Sequence, residues 1–507
     1  MKSIALDGHN LNAQNIYEYS FNADFEFSID PKAKASVLES RKFVLDIVQS
    51  EVPTYGVNTG FGALSNKHVG KNDLAQLQIN LIRSHCVGVG KPFSQEIVRS
   101  LMLILANSLL KGYSGIQIEA IELIIQFLNH NIAPVVPEKG SVGASGDLAP
   151  LSHIAICLIG EGEVFYQNER RATCEVLKKL NLTPIQLGPK DGLALINGTH
   201  LMAALATHAV IEIENLVKTA DLACALSLDG FRGSLKAFDE DLHAVKAHKG
   251  QVASAANIRN LIQGSKILDS HENCSRVQDP YSFRCAPQVH GAIRQTLAHA
   301  KEVLDRELKS VTDNPIVFAK KKKIISGGHF HGEALAMILD YLAIGVSEIC
   351  SISERRVVKL LNPEFSQLPA FLAKSSGLQS GLMIAQYTSA ALVSENKILS
   401  HPSSVDSVPT SNDKEDHVSM GPMAGRKLLE IIFNAKQCLA IEFLCNTQAI
   451  NLLRPLKSSP AIENVIAKIQ EKVPPINDDR YFAKDIEEIA NLIGHKDLLK
   501  SCMIELQ

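Results

Sequence analysis

The sequence predicts a mainly α fold: a long central helix bundle, an N-terminal domain and few short strands. Three observations carry this expectation. From Leu193 to Phe231 the chain is apolar almost throughout, which suits a long helix buried on every side and entered through Asn197-Gly198-Thr199. Leu335, Ile338, Leu339, Leu342, Val346, Ile349 and Ile352 fall at helical spacing, as do Leu428, Leu429, Ile432, Leu439, Phe443 and Leu444. Strand-like signals are confined to weak alternation before Asp30, the Gly160–Glu169 stretch, which reads as a small hairpin, and the short runs Ile316-Val317-Phe318 and Ile324-Ile325.

At 507 residues the chain exceeds one average domain. We expect an N-terminal domain over residues 1–200, a central helix bundle over 201–425 and a helical C-terminal part over 426–507. Hydrophobic residues at 46% and charged residues at 21% describe an ordinary globular protein, and a net charge of -3 gives no electrostatic case for nucleic acid. The one basic run, Lys320 to Lys323, suits a solvated turn between two short strands. Ten cysteines occur without a Cys-x-x-Cys pair, and Asp7 interrupts any signal-peptide core, so a reduced cytoplasmic setting is expected. The nearest approach to a membrane span, Gly192 to Ile211, is broken by Asn197, Thr199, His200, Thr207 and His208. No transmembrane segment and no membrane partner are expected.

In chain order, Val37, Leu38, Phe43, Val44, Ile47 and Val48 begin a helix, and Gly56, Gly60 and Gly62 break the chain into a loop. Helices follow over Asp73–Cys86 and Gln95–Leu110. The stretch Gly140-Ser141-Val142-Gly143-Ala144-Ser145-Gly146-Asp147 then stacks small flexible residues before another helix, with Leu148, Leu151, Ile154, Ala155, Leu158 and Ile159 in phase. Asp147 is placed to cap that helix and Pro150 is tolerated in its first turn.

A plain turn is the simplest use of such a loop. A phosphate cradle fails because no Gly-Lys-Ser/Thr follows, and a hydrolase elbow fails because Asp147 stands where the last glycine belongs. A third reading is chemical. With Ala144 and Gly146 flanking Ser145, the Gly146 nitrogen can close a five-membered ring on the Ala144 carbonyl carbon, and dehydration of Ser145 then leaves an exocyclic methylene.

On Gly143-Ala144-Ser145-Gly146-Asp147-Leu148 the chain resembles the aromatic amino acid ammonia-lyase family, whose Ala-Ser-Gly cyclises without help into the electrophile 4-methylidene-imidazol-5-one. Tyr55-Gly56-Val57-Asn58-Thr59-Gly60-Phe61-Gly62 matches the loop that carries the family's catalytic base, which implies Tyr55 in that role. Arg83-Ser84-His85 is similar to the histidine-specific branch, where phenylalanine-specific relatives place an apolar residue at the position of His85. By the same resemblance Asn197 faces the substrate, and Gln278, Tyr281 and Arg284 form the Gln-Asp-x-Tyr-x-x-Arg substrate pattern. An arginine fork suits an α-carboxylate. Phe330 is implied as a wall of the aromatic pocket, and Glu415, in Glu415-Asp416-His417-Val418-Ser419-Met420, joins Tyr55 and Tyr281 in the catalytic set. His200, His329 and Lys414 depart from the family's usual residues.

The resemblance implies non-oxidative removal of ammonia from L-histidine to give trans-urocanate, by a cytoplasmic homotetramer whose active sites are shared between subunits. Tyr55 would take the β-proton, with nearby positive charge lowering its pKa from roughly 10. No metal and no diffusible cofactor are expected, since His329-Phe330-His331 has no further ligand at a recognisable spacing. The alternatives are a tyrosine or phenylalanine ammonia-lyase or aminomutase of the same family, and a helical scaffold with an inert loop.

Overall fold

The structure, a computed structural model, describes residues 2–22, 24–50, 53–62, 66–271, 277–375 and 377–507. Helices dominate, and every sheet among the described residues has two or three short strands. The chain forms two compact units, one of Met1–Ile211, Lys301–Asp340 and Pro402–Arg426, the other of Glu212–Ala300, Tyr341–His401 and Lys427–Gln507.

The first unit opens with Lys2–Leu6 paired in parallel with Phe25–Ile29, joined by the helix Ala13–Phe21. Sequence periodicity does not reveal that helix because it buries only Ile16 and Ser20. Local chemistry starts it instead: Asn12 and Asn15 form a reciprocal capping box. Gln95–Leu110 is the opposite case. Ser94 caps it, and every residue from Ile97 to Leu110 is buried. The expected hairpin forms from Glu163–Tyr166 and Glu169–Ala172, turning through Gln167 and Asn168 with φ of 53° and 62°. This is the left-handed pair that a two-residue hairpin requires. The lysine run likewise turns between strands Ile316–Phe318 and Lys323–Ile325.

Two expectations are corrected here. The apolar stretch from Leu193 is not one helix: Asp191–Ile196 ends at Asn197, whose φ of -99° and ψ of 132° are extended, and His200–Phe231 starts afresh. Gly198, at φ +126°, makes the break possible. Asp147 does not cap its own helix, Leu148–Leu158. Its Oδ2 accepts from the Leu201 and Met202 amides at 2.8 and 3.2 Å, so it caps the helix that begins at His200.

Within the second unit, Arg356 and Glu442 form a fully buried two-point ion pair, Nε to Oε1 at 2.5 Å and Nη2 to Oε2 at 2.9 Å. Ser227 donates to the same carboxylate at 2.6 Å. Pairing and supplementary donors are what a buried charge needs. The helix Glu333–Leu361 is long and apolar enough to cross a membrane, but 61% of its most apolar stretch is buried inside the protein, as in a core helix.

Candidate active site

The Ala144-Ser145-Gly146 loop is held by the helix break at Asn197-Gly198-Thr199. Gly198 N donates to Ser145 O at 3.2 Å, and Asp147 N donates to Gly198 O at 2.8 Å. The approach is so close that a Cβ on Gly146 would stand 2.1 Å from Gly198 O. Only glycine fits there. Ser145 itself has φ +50° and Gly146 φ +79°. A left-handed serine costs about 1–2 kcal/mol, so the surrounding hydrogen bonds hold a turn that the sequence alone would not choose. Gly143, Ser145 and Gly146 are all left-handed, and Gly146 N lies 3.3 Å from Gly143 O. A turn this tight folds the chain back on itself across Ala144 and Gly146.

A cleft of about 230 Å³ opens beside this loop, lined by His85, Ser141, Ala144, Leu148, Thr410 and Glu415 among others. Ser145 Oγ donates to Glu415 Oε1 at 3.3 Å, and Thr410 Oγ1 donates to Glu415 Oε2 at 2.9 Å. Thr410 is the residue that sequence reading missed; its place in an Asp/Ser/Pro loop gave no signal, because the contact depends on the turn that brings Thr410 and Glu415 into a bridge. Lys414 is exposed and forms no ion pair with Glu415 among the described residues. The Glu415 carboxylate therefore faces the loop and the cleft.

His85 ends the helix Leu74–His85. Its Nδ1 lies 2.8 Å from Leu81 O, and a carbonyl only accepts, so Nδ1 carries the hydrogen and Nε2 is left as an acceptor. Burial lowers the His85 pKa, against the opposing pull of Leu81 and Glu415, which favours the neutral ring.

Asn197 is buried. Its Nδ2 donates to Asn314 O at 3.0 Å and approaches Asp313 Oδ1 at 3.4 Å, while its Oδ1 has no hydrogen-bond partner among the described residues. Asp313 is anchored by the buried Lys190 at 2.6 Å. Tyr55 sits in a turn whose Gly56 has φ +72° and no room for a Cβ beside Leu193 and Pro315. Burial pushes its pKa up, a hydrogen bond with the Gly62 backbone opposes this, and the Glu415 and Asp313 carboxylates add to the rise. The expected lowering is thus reversed within this chain, chiefly because the phenol is buried and secondarily because its charged neighbours are anions.

Phe330 is half-buried and His329 exposed; neither lines the cleft among the described residues. His200 is buried, neither ring nitrogen has a hydrogen-bond partner among the described residues, and burial lowers its pKa to about 3. It is a neutral packing ring beside Gly198.

The other implied substrate residues lie in the second unit. Gln278 is exposed and Tyr281 is 70% exposed. Arg284 donates from Nε to Asp279 O at 3.1 Å and stacks on the Tyr281 ring at 4.4 Å. Arg276, which opens the polar run ending at Cys285, lies outside the described residues.

The sequence model of the aromatic amino acid lyase family matches residues 11–471, and the chain belongs to that family. It is 47% identical over 98% of its length to a histidine ammonia-lyase of Myxococcus xanthus, covering 97% of that protein. To the human histidine ammonia-lyase it is 46% identical over 97% of its length, covering 76% of that chain. Among solved structures it is similar to histidine ammonia-lyase from Trypanosoma cruzi, with a TM-score of 0.92, 40% identity, and 99% and 95% of the two chains covered. It is also similar to tyrosine aminomutase from Streptomyces globisporus, with a TM-score of 0.94, 34% identity and both chains covered in full.

Proposed function

We propose that the chain deaminates L-histidine non-oxidatively to trans-urocanate and ammonia, the reaction that opens histidine breakdown. The observation that carries this reading is the pairing of neutral His85 with Glu415 across the cleft beside Ser145. An imidazole has a ring N-H to give, and Nε2 of His85 and the Glu415 carboxylate are acceptors for it. A phenyl ring has no donor at all, and burying those acceptors against carbon leaves them unpaired; a phenol can offer only its single O-H. Histidine ammonia-lyases among the relatives support the same substrate.

The residues fit a 4-methylidene-imidazol-5-one group formed from Ala144, Ser145 and Gly146: the turn is tight, and Gly146 is confined to glycine by Gly198. When formed, that group supplies an electrophilic carbon that draws electrons from the substrate and makes a poor leaving group leave. Around it, the Asn197 Oδ1, buried and unpartnered among the described residues, is suited to accept from the α-ammonium. Arg284 offers the fork for the α-carboxylate, and Gln278, Tyr281 and Phe330 complete the substrate surroundings. Tyr55 takes the β-proton, which requires the assembled site to supply positive charge, since burial and, after it, the anions nearby hold its pKa up. Exposed Tyr281 and Gln278 suit a homotetramer in which neighbouring copies complete each site. We place the enzyme in the cytoplasm, where its cysteines stay reduced.

The test compares histidine, tyrosine and phenylalanine by ultraviolet assay in wild type, His85→Phe and Glu415→Gln. Wild type should favour histidine by about four to five decades, and both variants should lose most of that preference. A wild type that prefers tyrosine would give the function to the tyrosine ammonia-lyase or aminomutase reading, which the tyrosine aminomutase fold neighbour supports.

A further inference from the structure

His329-Phe330-His331 lacks a third metal ligand in sequence, yet folding supplies two further donors. The ligand atoms of His331, Glu333 and His417 all lie within 4.8 Å of one another. His329 is not in the group. All three residues belong to the first unit. His331 and Glu333 stand at the start of the helix Glu333–Leu361, and His417 lies two positions beyond Glu415 on the loop that lines the cleft.

Two features favour a ligand over a chance cluster. Nε2 of His331 lies 3.2 Å from the His417 carbonyl oxygen. Because a carbonyl can only accept, that nitrogen carries the hydrogen and Nδ1 keeps its lone pair. A backbone carbonyl holding one ring nitrogen while the other faces an ion is the usual support of a metal-bound histidine. Independently, Glu333 Oε2 is closed off from solvent with no hydrogen-bond partner among the described residues. A carboxylate oxygen in that position needs a cation or a donor.

The geometry points to a divalent transition-metal site formed by His331, Glu333 and His417, suited to zinc or a similar borderline ion that takes imidazole and carboxylate together. Bonds of about 2.0–2.2 Å put tetrahedral ligands roughly 3.4 Å apart, a spacing within reach of ligand atoms that already lie within 4.8 Å of one another. The fourth position is left to water. The site's role is to pin the loop bearing Glu415 to the segment bearing Phe330, away from the bonds that react.

The test uses the full chain, stripped with a chelator and titrated with zinc alone. Calorimetry should saturate at one ion per chain, and the melting temperature should rise by about 2–5 °C at saturating zinc. His331→Ala and His417→Ala should weaken binding by about 10–100-fold or more, since even outer-shell partners cost that much, whereas His329→Ala should leave it unchanged. Equal affinity in wild type and His417→Ala, or loss of binding in His329→Ala, would overturn the site. X-ray absorption on zinc-loaded wild type gives a readout independent of variant folding: two imidazoles and oxygen support the proposal, and sulfur or a single imidazole defeats it. Neither measurement reads deamination, so the site and the proposed reaction stand or fall separately.

Discussion

The Ala144-Ser145-Gly146 loop and the Gln278–Arg284 segment both carry proposed site residues, but the fold treats them in opposite ways. The first is over-determined: Gly198 grips it from two sides, Gly146 has no space for a side chain, and Asp147 is buried beneath it. The second is loosely finished, with Tyr281 largely exposed and Arg284 resting on that ring. The contrast separates two tasks. A strained serine needs rigid neighbours inside its own chain, whereas the proposed carboxylate clamp, if neighbouring copies complete it, has to face outward until assembly.

The sharpest way to break this comparison is Ser145→Ala. It leaves the left-handed turn and its backbone bonds in place but removes the hydroxyl whose loss would make the proposed methylene. Deamination should fall to near background while circular dichroism and oligomer size are unchanged. Intact mass should show wild type lighter than its sequence by the waters lost on cyclisation and dehydration, and full activity in the variant would sink the proposed chemistry.

Next in size is Tyr55→Phe, which keeps ring volume and removes the proton acceptor, so turnover should drop by about two to four decades. Its neighbours give a second reading. Because the Glu415 carboxylate raises the Tyr55 pKa, neutralising it in Glu415→Gln should move the acid limb of kcat/KM to lower pH. A limb that stays put, or moves up, would detach that limb from Tyr55.

Arg284→Lys addresses the exposed segment. The charge remains, but the fork and the flat stack on Tyr281 are lost, so KM should rise by about 10–100-fold, the 1.5–3 kcal/mol of a charge-assisted hydrogen bond, with the fold intact. Light scattering bears on the same contrast: a fully active monomer would mean that the segment needs no second copy.

The helical body was legible because buried helices such as Gln95–Leu110 and Glu333–Leu361 keep their apolar spacing over many turns. The Ala13–Phe21 helix was not, since its start depends on a pair of asparagines and it buries little. The motifs led directly to His85 and Glu415, which line one cleft, and to Ser145, which donates to Glu415. What stayed hidden depends on how the chain turns back on itself, locally or from a distance. Thr410 finds Glu415 through a loop closure, Asp147 finds a helix more than fifty residues away, and the rise of the Tyr55 pKa comes first from burial that no local pattern announces, with Glu415 and Asp313 adding to it.

The smallest effect expected, and the one that isolates rigidity from chemistry, concerns Asp147. Its carboxylate caps the His200–Phe231 helix through the Leu201 and Met202 amides, and both bonds favour the anion. Burial acts the other way and wins, raising the pKa from 3.8 to about 7. A carboxyl that holds its proton more tightly when folded contributes stability that is fully present below about pH 4 and is lost as pH rises through about 7. Asp147→Asn keeps an acceptor for the same amides but cannot ionise. Relative to wild type it should therefore gain stability from pH 5 to pH 8, by on the order of 2 kcal/mol, the helix-end bonds being already counted in that pKa. Melting curves of the two proteins across that range provide the measurement. Parallel curves would mean that Asp147 has the same charge state folded and unfolded; a variant that loses ground as pH rises would show that the anion is the form the helix end prefers.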